Sequence, residues 1–199
     1  MDTLLVVVGS LIAASGTVPY IIATVRHQTK PRIVTWLTWA LLTGLASAAA
    51  FSDHQIGGGI FALLGALSCA SVVAVGLRYG DRSFARLDII CMAGVALGLM
   101  LWMLLSDPAI GVWAAVAIDF VGLVPTIKHA WKAPQEETPV TYALVGVGGA
   151  LTVVAVLTSQ AVTVTSVGYP LYAGISLGLL AIMIVARRRT LSMPVRRVR

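Results

Sequence analysis

The sequence predicts an all-α integral membrane protein of seven transmembrane helices, arranged 3+1+3 as two parallel three-helix repeats joined by a linker helix. Three observations predict it. Seven apolar stretches are long enough to cross a bilayer, every Lys and Arg falls on one side of the alternation they create, and two landmarks in the first half recur in the second.

Composition sets the class. Of the 199 residues 58% are hydrophobic and 11% charged, and the mean hydropathy is +0.93. A soluble domain of this size has too much surface for its volume to hide that much apolar area, so lipid must serve as solvent. A bilayer core about 30 Å thick takes about 20 residues of helix per crossing. Helix is required because lipid offers backbone polar groups no outside partner.

The stretches lie at 3–25, 34–52, 56–78, 87–106, 109–130, 139–158 and 163–186. The polar run Arg78 to Ser83 separates the third from the fourth, whereas only Ser159-Gln160 and neighbours divide the last two. Gly57-Gly58-Gly59 reads as a loose lead-in to the third span. Met1-Asp2-Thr3 lacks a basic n-region, so no signal peptide is expected to be cleaved there.

A net charge of +6 would suit nucleic acid, but its distribution does not. The 14 basic residues are Arg26, Lys30, Arg32, Arg78, Arg82, Arg86, Lys128, Lys132, Arg187, Arg188, Arg189, Arg196, Arg197 and Arg199. All follow the first, third, fifth or seventh span. The other side carries Asp2, Asp53 and Asp107 and no Lys or Arg. The positive-inside rule then places the N-terminus outside and the C-terminus in the cytoplasm, in a cytoplasmic or plasma membrane. The basic tail reads as a topology anchor that can touch anionic lipid. The aromatics are too few and too buried to stack bases. Cys69 and Cys91 lie inside apolar stretches without a CxxC pair, so they read as packing residues rather than a disulfide or a metal site.

The repeat is carried by Gly16-Thr17-Val18-Pro19 and Gly122-Leu123-Val124-Pro125, 106 residues apart. At the same offset Val34-Thr35-Trp36 falls on Val140-Thr141-Tyr142, each trio opening the next span, with Pro31 or Pro139 just before it. Two landmarks recurring with the loop length and topology between them is a stronger signal than one short motif. The units are residues 1–80 and 108–186, with 81–107 as the linker span and 187–199 as the tail. Three spans per unit is odd, so the fourth span restores the orientation and leaves the units related by an axis along the membrane normal.

This pattern resembles the SWEET/PQ-loop (MtN3-type) superfamily: 3+1+3, N-terminus out, a proline in the first helix of each half and a short basic loop after it. The likeness covers nearly the whole chain in architecture, but in motif only the surroundings of Pro19 and Pro125. The family's Pro-Gln pair stands here as Pro19-Tyr20 and Pro125-Thr126, so the chain is similar to a divergent member. The resemblance implies an alternating-access carrier of a small solute, with Pro19 and Pro125 as hinges and the third helix of each half lining a central pocket. On that basis Ser68, Ser71, Tyr169, Tyr172 and Ser176 become candidate lining residues. Sugar-carrying members typically bind hydroxyls with Asn, and this chain has no Asn, which argues against a sugar.

Residue chemistry adds its own candidates. Proline inside a helix removes a hydrogen bond and weakens the helix, and matching breaks in two halves point to a moving element; the alternative is that both prolines merely shape helix ends. Asp119 is the one charged residue well inside a span, at a position where half one has Ala13. A charge there is costly unless it faces water or a partner, and no Lys or Arg lies at its depth, so proton coupling or cation recognition stands beside a plain helix contact. Trp36 and Trp39 share one face of the second span, with Tyr142 matching Trp36; they are either an interfacial belt or a gate at the mouth. Gly94/Gly98 and Gly174/Gly178 read as close helix contacts.

An enzyme is not expected. His27, His54 and His129 sit in or beside loops, and no HExxH occurs. No cofactor is expected. A non-transporting scaffold, receptor or escort protein of the same architecture is the alternative to a carrier. The expected partners are a small polar solute, protons and membrane lipids, with a homo-oligomer also open.

Overall fold

The computed structural model describes residues 3–28, 30–84, 86–158 and 162–192. They form α1 (Thr3–Ser15), α2 (Thr17–Val25), α3 (Ile33–Ser52), α4 (Ile56–Tyr79), α5 (Arg86–Leu105), α6 (Pro108–Lys132), α7 (Pro139–Leu157) and α8 (Val164–Ser192), with a 3-10 turn at Pro134–Glu136. Among the described residues seven helices are long and apolar enough to cross a membrane, α1 and α2 together making the first. The chain is therefore an all-α seven-helix membrane protein. The last helix runs to Ser192, six residues past the boundary expected from sequence, because the Arg187–Arg189 run stays helical beyond the apolar stretch. Asp2, the Ser159-Gln160 division and the Arg196, Arg197 and Arg199 cluster lie outside the described residues.

Local chemistry fixes the ends. Asp107 caps α6, its carboxylate accepting from the Ala109 N–H at 2.9 Å, with Pro108 at the first helical position. The α3–α4 turn is made at His54, which takes φ 57°. The Gln55 N–H bonds Ala50 O at 2.8 Å and the His54 N–H bonds Phe51 O at 3.0 Å, the paired C-terminal bonds of a Schellman motif. His27 does the same after α2. This corrects the reading of Gly57–Gly59 as a loose lead-in: all three are buried inside α4. A Cβ on Gly58 would lie 2.5 Å from Thr165 O and one on Gly59 2.6 Å from the Phe51 ring, so these two glycines serve close approach rather than a turn.

The helix pairings come in twos. α3 lies along α4 as α7 lies along α8; α1 crosses α7 as α6 crosses α3; α1 and α2 touch α4 as α6 touches α8. The contact between α4 and α8 maps onto itself when the halves are exchanged, and α5 rests on α6 and α3. Small residues permit these approaches, since in lipid helices associate by packing and not by the hydrophobic effect. At the α1–α7 crossing, Gly9 and Gly148 meet backbone to backbone, and a Cβ on Gly9 would sit 2.9 Å from Gly148 O. Gly146 meets Gly178, Gly149 meets Gly174, and Gly98 meets Ala114. The central core is Ala-rich, with Ala13, Leu42, Ala46, Ala49, Ala62 and Ala115 around Phe61 and Tyr169.

The two proline landmarks behave differently. The first span is interrupted at Gly16, so Pro19 sits in the first turn of α2, while Pro125 lies inside an unbroken α6. The Thr17 hydroxyl donates to Ala14 O at 2.8 Å across the interruption.

Candidate functional site

A cavity of about 1180 Å³ opens on the side of the basic loops, between the two halves. Its walls are the ends of α2, α3, α5, α6 and α7 nearest the basic loops, with the Pro134–Glu136 turn and Arg188 of α8. Its mouth is polar and its far end apolar. At the mouth, Arg32 donates to the Asp88 carboxylate at 2.6 Å, tying α3 to the start of α5. His129 lies 3.2 Å from Glu136 and 4.0 Å from Glu137. The Tyr142 hydroxyl donates to Glu137 at 2.7 Å.

Both lips of the mouth are fastened. On one, the Ile33 N–H bonds Asp81 O at 2.9 Å and the Asp81 N–H bonds Pro31 O at 2.7 Å, joining the first and third loops. The Ser83 hydroxyl and amide both donate to the Asp81 side chain and hold its carboxyl below the usual range. On the other, Arg188 of α8 donates to the carbonyls of Pro134, Gln135 and Glu137 at 2.9, 3.4 and 2.5 Å. Arg187 stacks over the exposed Trp131, 4.6 Å from the ring centre.

From the mouth an aromatic series leads inward. Tyr20 and Trp36 have ring centres 4.9 Å apart, and Trp36 and Trp39 meet edge to face at 5.1 Å. All three line the cavity. At its far end are Leu42, Cys91, Ile118 and Gly122. Asp119 lies just behind. Its carboxylate accepts from the Tyr169 hydroxyl at 2.9 Å, and the Trp39 side chain lies close to it. Tyr169 in turn faces Tyr172, with ring centres 6.1 Å apart. Among the described residues no Lys or Arg pairs with Asp119. Gly122 borders the approach, where an added Cβ would make only ordinary contacts, 3.8 Å from Trp39 Nε1 and 3.9 Å from Cys91 Sγ.

The opposite side is closed. The Thr165 hydroxyl donates to the Asp53 carboxylate, the Ser47 hydroxyl donates to Gly59 O at 3.0 Å, and Gly58 abuts the Thr165 and Ser166 carbonyls.

The structure thus brings together Asp119, Trp36, Trp39, Tyr142 and Tyr169 of the sequence candidates, with Tyr172 next to Tyr169 and Pro125 in the cavity wall. It does not bring Ser68, Ser71 and Ser176 to the cavity. The Ser71 hydroxyl bonds Ser68 O at 2.6 Å, and the Ser176 hydroxyl bonds Tyr172 O at 2.7 Å beside an apolar groove between α6 and α8. Hydroxyls that bond a carbonyl one turn back are satisfied within their own helix. Sequence reasoning missed Asp88, Cys91, Gly122, Glu137 and Arg188. Asp88 could have been found as a carboxylate in the first turn of a span, with Arg32 at the same depth. Arg188 looked like part of a topology signal only.

The fold and site define a class: a seven-helix membrane protein with a deep cavity open to one side, ending near a carboxylate within the membrane span. Compared with family models, curated proteins and solved structures, the chain matches none.

Proposed function

We propose that the protein is a carrier for a small polar solute, working by alternating access between two three-helix units and coupled to protonation or cation binding at Asp119. The observation that carries this reading is the one-sided cavity ending near a carboxylate that takes a hydrogen bond from Tyr169 and, among the described residues, pairs with no basic side chain. A carboxylate at that depth is costly unless it serves a pathway. The paired helix contacts support a repeat related by a twofold along the membrane normal, the layout in which one unit rocks against the other about a central site. With the basic loops in the cytoplasm, the cavity faces inward, the N-terminus is outside, and the Asp53–Thr165 bond belongs to the outer closure. Pro125 in α6 and the Gly16 interruption before Pro19 are the two weak points from which the inner halves of the first and fifth spans would swing.

The test is solute uptake into proteoliposomes under an imposed pH gradient. Asp119→Asn keeps the shape of the side chain and removes its charge. It is expected to abolish uptake or to leave it independent of the gradient. Unchanged, gradient-driven uptake by the variant would remove Asp119 from the mechanism, and a scaffold would tolerate the change without consequence.

A further inference from the structure

We infer that the vestibule selects small monovalent organic cations bearing an aromatic or alkyl body, over anions of similar size. This inference rests on the carrier reading and names the substrate class of its site. Two independent features point the same way.

The first is charge. At the mouth Lys30, Arg32 and Arg188 face Asp88, Glu136 and Glu137, so the formal charges there cancel. Arg32 is held by Asp88, and Arg188 by three backbone carbonyls. At the far end stands Asp119, with no Lys or Arg among the residues lining that end. A ligand moving inward leaves a balanced rim for a site whose formal charge is an acid's.

The second is the wall. Between rim and acid the cavity presents Tyr20, Trp36 and Trp39 in van der Waals series, with Leu42, Ile118 and Cys91 behind. Ring faces attract cations through their quadrupole and give apolar contact to the rest of the molecule. An anion would meet the acid with no compensating cation.

The test uses the full chain in lipid nanodiscs, titrated calorimetrically with phenyltrimethylammonium and, separately, with benzenesulfonate, a probe of similar size and opposite charge. The cation is expected to bind saturably and the anion at least tenfold more weakly. Trp36→Leu should weaken cation binding by about 5- to 30-fold, the range of a desolvated cation–ring contact, while Trp36→Phe keeps most of it. Monodisperse elution and an unchanged melting temperature show that both variants fold. Equal or tighter binding of benzenesulfonate overturns the inference, as does indifference of the cation to Trp36→Leu. Flux of phenyltrimethylammonium in proteoliposomes separates the two readings. Binding without flux leaves cation selection standing and removes the carrier. Asp119-dependent flux of another solute, with no cation binding, leaves the carrier and removes this inference.

Discussion

Replacing Gly58 with alanine should act as a wedge. Gly58 lies where α4 and α8 close the side away from the cavity, and an added Cβ would stand 2.5 Å from Thr165 O and 2.7 Å from Ser166 O. Ordinary contact begins at 3.4 Å, so the methyl intrudes by about 0.9 Å on backbone that no rotamer change can move aside. Overpacking of this kind typically costs about 1–3 kcal/mol. The helix-propensity gain of alanine over glycine, about 1 kcal/mol, is shared by every conformation in which α4 stays helical, so it cannot offset the clash selectively. If the protein alternates between forms open on either side, the clash burdens only the one in which α4 and α8 touch. The ratio of the two forms should then move about 5- to 150-fold toward the outward-open one, since about 1.4 kcal/mol is a factor of ten. Spin labels on cysteines placed at Ile56 and Val164, both surface-exposed, with Cys69 and Cys91 replaced by alanine, would report the separation by double electron–electron resonance in liposomes. A second, longer distance population is expected in the Gly58→Ala protein. A single unchanged distance together with a lowered melting temperature would refute the reasoning, because the α4–α8 contact would then be a fixed seam.

Three further outcomes follow from the geometry. On the carrier reading, Gly122→Ala should leave uptake near wild type, since its Cβ meets only ordinary contacts at 3.8 and 3.9 Å, whereas Gly122→Leu should fill the passage to Asp119 and abolish uptake at normal folded yield; equal uptake by the two would show that the passage lies elsewhere. Arg32→Ala leaves the buried Asp88 without its 2.6 Å partner and should destabilise the protein by about 1–3 kcal/mol, less than a fully buried pair because Arg32 is 41% exposed; thermal unfolding checks this, and Asp88→Asn in the same chain should recover most of the loss. A cysteine at His54 should react with an impermeant maleimide in intact cells and one at Arg82 should not, and the reverse pattern would invert the orientation.

The spans were legible because run length and charge alternation are one-dimensional properties: lipid tolerates only about 20 apolar residues of helix per crossing, and the basic groups mark every second gap. The turn at His54 was not, because its left-handed residue is a histidine, while the glycines that usually signal such a turn follow three residues later and serve a helix crossing instead. Asp119 was legible since polar groups inside a span are few, and its aromatic neighbours were named with it. The serines and Asp88 show the limit. Helices that are apolar on every side give no periodicity from which to read rotation about the axis, so whether Ser71 faces a cavity or its own helix, or whether Arg32 reaches Asp88, is decided only by packing between segments 56 residues apart in the second case.

The grip of Arg188 on the carbonyls of Pro134, Gln135 and Glu137 means that the end of α8 and the segment linking α6 to α7 travel as one piece. That half of the mouth is a stiff jaw rather than a flexible flap. On the carrier reading, any change in the width of the opening comes from bending deeper in the helices, and severing the arginine should loosen the rim without changing how far the jaws part.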